Sequence, residues 1–202
     1  MYERLFTEGR IGNLTIPNRI VMEPMGHHLA DANGDTNDRI VAFYATRARG
    51  GVGLIITEVV RVNDEHGVAD KGQMSIAKDE RMPGIRNLAD AVHSYGGKIF
   101  LQLHHPGSQG FCALNGGEPM LTPSGVVSHA IEQPCRAMTK EEIRELVRDF
   151  GAAAKRAKDC GIDGVELHGA HGYLINQFLS PRSNRRTDRY GLDRRLFLME
   201  VL

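Results

Sequence analysis

Nine histidines occur in the chain, and six fall in three pairs: His27 with His28, His104 with His105, and His168 with His171. Each pair follows a short apolar run, Arg19 to Met22, Ile99 to Leu103 or Val165 to Leu167. Neutral imidazole is a common metal ligand, so a metal site is one reading. Adjacent residues on a strand point to opposite faces, however, and no H-x-H or H-E-x-x-H aims two rings at one ion. The other reading is hydrogen bonding to a bound molecule. Gln102, near the end of Ile99-Phe100-Leu101-Gln102-Leu103, fits it. A primary amide at a strand terminus bonds either backbone or a ligand edge that both donates and accepts.

The elements that must position these residues repeat. Three amphipathic stretches end in glycine and lead into an apolar run: Arg49-Gly50-Gly51 before Leu54 to Ile56, Tyr95-Gly96-Gly97 before Ile99 to Leu101, and Cys160-Gly161 before Val165 to Leu167. Glycine takes the left-handed conformation that closes a helix. Helical faces precede them: Ile40, Phe43, Tyr44 and Arg47, then Ile85, Leu88, Ala89 and Val92, then Ile143, Leu146, Val147, Phe150 and Ala154. The third helix opens on Thr139-Lys140-Glu141-Glu142, the spacing of a capping box. With Arg19 to Met22 as first strand the order is β, α, β, α, β, α, β, and Leu196, Phe197 and Val201 begin a fourth helix. Such strands, apolar without strict alternation, predict a parallel sheet with right-handed crossovers. No G-x-G-x-x-G follows the first strand, and the polar residues gather after each strand: Pro24 to His28, Thr57 to Arg61, Gln102 to Gly107, His168 to Tyr173. That is the habit of the TIM (β/α)8 barrel, an α/β fold of which about the first four βα units are present.

The 202 residues hold 25 Lys plus Arg against 25 Asp plus Glu, so bulk charge gives no affinity for nucleic acid. Hydrophobic residues at 41% and charged ones at 25% describe a folding domain. No apolar run approaches the roughly 20 residues of a membrane helix, and the first eight residues do not read as a secretory signal; a cytoplasmic location is expected. Cys112, Cys135 and Cys160 form no C-x-x-C, so neither a disulfide framework nor a zinc or iron-sulfur knuckle is encoded.

The segment from Glu166 to Pro181, with His168-Gly169-Ala170-His171-Gly172-Tyr173 at its head, closely resembles the strand-four signature of the old yellow enzyme family of FMN-dependent ene reductases. Its nearest likeness is the branch with 2,4-dienoyl-CoA reductase and enoate reductase. Ser183 to Gly191, Leu5-Phe6 with Ile11-Gly12, Pro17 to Met22 and Gln102 extend the resemblance over nearly the whole chain. It implies that residues 1–202 are the N-terminal part of a single FMN-binding barrel domain, with NAD(P)H as reductant. Backbone around Pro24, Met25 and Gly26 would line the flavin, with Val59 nearby, and Gln102 would bond its pyrimidine edge. His168 and His171 would hold the electron-withdrawing group of an unsaturated carbonyl, carboxylate or thioester, and Tyr173 would donate the proton. No metal, nucleic acid or membrane enters this reading. Self-association into a homo-oligomer is compatible with it, and iron-sulfur and FAD groups belong only to a longer parent. Gly26 stands where many relatives carry a side chain, and the run from Tyr190 to Arg195 is shorter than usual, which puts the start of the fourth helix in altered geometry. Two rival expectations remain: a metal-dependent hydrolase barrel using the strand-end histidines, and an inactive half barrel.

Overall fold

The computed structural model describes residues 2–202. A 3₁₀ turn (Glu3–Phe6) is followed by a hairpin, β1 (Gly9–Ile11) and β2 (Leu14–Ile16), joined by Gly12 and Asn13 with Gly12 at φ +57°. The sequence reading contains no hairpin here, although a glycine and asparagine between short apolar runs is the usual signal for one. The expected first strand is cut to β3 (Val21–Met22). Ile20 still joins the sheet through its carbonyl, which accepts the Gly53 and Leu54 amides at 3.0 and 3.2 Å.

Helix α1 (Asp38–Arg49) follows, capped by Asn37, whose side chain accepts the Arg39 and Ile40 amides. Then come β4 (Leu54–Arg61), β5 (Met74–Ser75), α2 (Met82–His93) and β6 (Lys98–His104). An excursion carries β7 (Met120–Thr122) and β8 (Cys135–Ala137) before α3 (Lys140–Asp159) and β9 (Gly164–Leu167). Three short helices, α4 (Leu174–Leu179), α5 (Arg189–Leu192) and α6 (Leu196–Val201), complete the chain. The fourth helix of the sequence reading is α6, with α5 inserted before it. The excursion, α4 and α5 lie outside that reading.

Strands β3, β4, β6 and β9 lie side by side in that order, all parallel, and β5 pairs with the end of β4. Strand order that follows chain order, with α1, α2 and α3 in the crossovers, is the arrangement of a (β/α)8 barrel, here in part. The helices bury Ile40 and Tyr44, then Ile85, Leu88 and Val92, then Ile143, Leu146 and Phe150 in one core with Ile55, Ile99 and Leu101 of the strands. Each such side chain contributes about 1.5 to 3 kcal/mol when fully buried. Gly51, Gly96 and Gly161 take positive φ after α1, α2 and α3 as expected. Among the described residues no helix is long and apolar enough to cross a membrane.

In β4 the register shifts between Ile56 and Val59, so Thr57 and Glu58 together face Leu101 of β6. A bulge of this kind re-aims the side chains around it. Glu58 turns beneath the segment after β3, while Val59 faces the mouth of the barrel, where the strand ends converge.

Candidate functional site

At the C-terminal ends of the four barrel strands lies a cavity of about 530 Å³. All eight residues singled out in the sequence line it: Pro24, Met25 and Gly26 after β3, Val59 on β4, Gln102 on β6, and His168, His171 and Tyr173 after β9. His28, of the first histidine pair, lines it as well, and the walls to which the sequence reading assigned no role include Ala69, Asp70 and Glu166. Glu166 was within reach of it, because Glu166 and His168 are two apart at the end of one strand and therefore share a face. Ala69 and Asp70 sit in a loop that carries no periodic signal.

The turn from His168 to Tyr173 is fastened by neighbours. Gln109 Nε2 donates to the His171 carbonyl at 2.7 Å, Gln177 Nε2 donates to the Gly172 carbonyl at 2.6 Å, and Asn176 Oδ1 accepts the Gly172 amide at 3.0 Å. His171 is thereby held at φ +57° and Gly172 at φ +76°. A left-handed histidine is uncommon and persists where its surroundings over-determine it. The imidazoles of His168 and His171 meet edge to face at 5.1 Å, and the Tyr173 ring lies 4.8 Å from His168.

Protonation follows from burial. Burial, with His171 next to it, pushes the His168 pKa down, so its ring is neutral at pH 7. Its Nδ1 accepts the Ala170 amide at 3.4 Å, which places the ring proton on Nε2 as a donor. Burial, with the charge of Asp70 behind it, raises the Tyr173 phenol, which keeps its proton through the neutral range.

The other histidines have other tasks. His104 is 1% exposed, and burial holds it neutral with a pKa near 3. Its Nδ1 accepts from Gln73 Nε2 at 3.2 Å and its ring meets Tyr173 edge to face at 4.4 Å. His105 Nδ1 accepts the Gly107 amide at 3.1 Å, so Nε2 donates to His66 Nδ1 at 2.9 Å. His27 turns away from the cavity toward Tyr44 Oη, 3.1 Å from its Nε2, and burial lowers it to about 4. The three pairs are therefore split: His28, His168 and His171 line the cavity, while His27, His104 and His105 support its walls from behind. Among the described residues no group of three or more His, Cys, Asp or Glu is placed to hold a metal ion.

Glu58, 1% exposed, fastens the wall after β3: its Oε2 accepts the His27 and His28 amides at 2.9 and 3.2 Å. Burial raises its carboxyl pKa, and the two amides pull it back. Tyr44 Oη accepts the Glu58 amide at 2.7 Å, so helix α1, the bulge and the wall form one hydrogen-bonded unit.

Parallel strand ends that gather a neutral imidazole donor, a protonated phenol and an amide around one cavity define a class of protein: a parallel α/β-barrel fold with a ligand-sized cavity at its strand ends. The chain belongs to the NADH:flavin oxidoreductase / NADH oxidase family, whose model matches residues 4–202. It is 48% identical over 204 residues to an NADH oxidase of Thermoanaerobacter brockii, covering 100% of this chain and 31% of that protein. It superimposes with a TM-score of 0.88 and 32% identity on the old yellow enzyme homologue from Zymomonas mobilis, covering 98% of this chain and 58% of that one. A complex of 2-naphthoyl-CoA reductase with 2-naphthoyl-CoA gives a TM-score of 0.93 at 32% identity, covering 100% of this chain and 33% of that one. The chain thus spans about a third to just under three fifths of the length of these proteins.

The family implies a flavin, and the walls fit its ring system. Gln102 gives one amide N–H to Glu166 Oε1 at a long 3.4 Å, and Glu166 Oε2 is buried with no partner among the described residues. An amide and an unpaired acceptor side by side match a ring edge that both donates and accepts. Among the described residues the cavity is lined by no lysine or arginine, so these walls suit the ring rather than the phosphate.

Proposed function

We propose that this chain carries the flavin-facing wall and the substrate donors of an FMN-dependent reductase of activated C=C bonds, with NAD(P)H as the source of electrons. The observation that carries this reading is the convergence of Gln102, His168, His171 and Tyr173, from two strand ends, on one cavity with the segment Pro24 to Gly26. Bound FMN would supply hydride chemistry, and Gln102, Glu166 and the backbone of Pro24 to Gly26 would hold its ring. His168 donates from Nε2 to the carbonyl oxygen of an α,β-unsaturated substrate, and His171 reaches the same oxygen from the facing side of the turn. Negative charge growing on that oxygen during reduction strengthens both hydrogen bonds, which is where such donors act. Tyr173, kept protonated by burial and Asp70, gives its proton to the α carbon. The substrate class is an unsaturated carbonyl, carboxylate or thioester, the last in keeping with the 2-naphthoyl-CoA complex.

Tyr173→Phe tests this in the flavin-loaded protein. Flavin reduction by NAD(P)H is expected to stay within about twofold, while alkene reduction slows roughly 10²-fold, the usual weight of a positioned acid. Equal slowing of both half-reactions in stopped-flow absorbance would overturn the assignment of Tyr173.

A further inference from the structure

Cys112 and Cys135 are far apart in the chain and adjacent in the fold. Cys112 opens a single 3₁₀ turn (Cys112–Leu114) and Cys135 opens β8. The Cys112 Sγ lies 3.7 Å from the Pro134 carbonyl oxygen, in the peptide unit that leads into Cys135. That oxygen is roughly 3 Å from the Cys135 Cα by ordinary backbone dimensions, so the Cys112 sulfur is within about 7 Å of that Cα. The Cys112 amide is held by Gln133 Oε1 at 3.1 Å, which fixes the two segments against each other. Both thiols are half-buried, whereas Cys160 is buried.

We infer that Cys112 and Cys135 are a modification site, a dithiol that a hydroperoxide such as hydrogen peroxide converts to an intramolecular disulfide. In the first step the Cys112 thiolate takes one peroxide oxygen: the S–O bond forms as the O–O bond breaks, and the departing hydroxide leaves as water. The Cys135 thiolate then attacks that sulfur, so that the S–S bond forms, the S–O bond breaks and a second water leaves. Two thiols lose two electrons and two protons to one peroxide, which becomes two waters. Burial and the neighbouring Cys112 push the Cys135 thiol up, so the second step quickens as the pH rises.

The pair is wired to the cavity. The Asn115 amide donates to the Cys112 carbonyl at 2.9 Å, so both residues ride on one turn. The Asn115 side chain clamps Val68 from both sides, accepting its amide at 3.0 Å and donating to its carbonyl at 2.9 Å. The next two residues, Ala69 and Asp70, are cavity wall. Closing the disulfide ties this turn to β8 and stiffens the wall through Asn115.

The test uses the 202-residue chain with one equivalent of hydrogen peroxide, followed by alkylation and non-reducing peptide mapping. The expected product has lost the mass of two hydrogens, joins Cys112 to Cys135, leaves Cys160 alkylated and reverts with dithiothreitol. In Cys135→Ser the reaction should stop at a Cys112 sulfenic acid that dimedone traps. Hydrogen exchange at the Val68 amide should slow several-fold in the oxidised wild type. Cross-linking between chains, or sulfinic acid at either residue without a bond between them, would overturn the site. Unchanged exchange at Val68 in the disulfide form would overturn the coupling.

Discussion

Gln102 separates a flavin site from an ordinary polar cavity, because among the described residues its side-chain amide has only a long contact with Glu166 and so depends on what fills the space. Gln102→Leu removes donor and acceptor together and leaves polar ring atoms unpaired, at about 1 to 3 kcal/mol. FMN affinity should therefore fall roughly 5- to 150-fold by fluorescence titration. A dissociation constant equal to the wild type's would place the flavin edge elsewhere. At this scale the sequence was most informative where residue type and strand position coincide, as at His168 and His171, whereas Tyr173 was singled out through the family resemblance. It was silent on division of labour: alternation sets the two rings of His27-His28 on opposite sides, but nothing in the pair says which of them enters the cavity. That choice is made by Glu58 and Tyr44, which reach the pair from β4 and α1.

Helix α3 is the element best specified locally. Thr139 Oγ1 accepts the Glu142 amide, and Glu142 returns a bond to the Thr139 amide at 2.8 Å. Arg136 of β8 joins them, donating to Glu142, and this pairing, helped by Thr139 and opposed by partial burial, lowers the carboxyl from 4.5 to about 2. A carboxylate with a depressed folded pKa stabilises fully above its unfolded pKa and loses that contribution as pH falls toward the folded one. The denaturant midpoint should accordingly drop between about pH 5 and pH 2, and Glu142→Gln should flatten that drop. Thr139→Ala is expected to cost about 1 kcal/mol at neutral pH. A wild-type slope retained in Glu142→Gln would show that other carboxylates govern it. Helices α1 and α3 were readable because periodic faces and caps agree, and α2, which has no side-chain cap, because its periodic face runs to a closing glycine. The stretch from Pro106 to Ala137 was not, because its order comes from distant partners such as Asn115 with Val68 and Gln133 with Cys112. Such pairings leave no period in the sequence.

For the whole molecule, strands β3 and β9 are the ends of the barrel sheet, each with a single neighbour among the described residues. Unpaired edge groups recruit other strands, and Val21 of β3 is 41% exposed while Leu192 and Met199 are 84% and 62% exposed. The 202-residue chain, expressed by itself, should self-associate through these edges. Light scattering on a size-exclusion column checks this, and a stable monomer across a hundredfold range of concentration would overturn it. The cavity itself has a different character. Its β3 side is fastened from beneath by Glu58, through the His27 and His28 amides, so a ligand arriving there finds a wall already ordered. Uptake of a flavin should then carry only the heat-capacity decrement of the ring area it hides, as in docking to a rigid mould. A several-fold larger decrement in calorimetry would instead be the signature of a loop that folds around its guest.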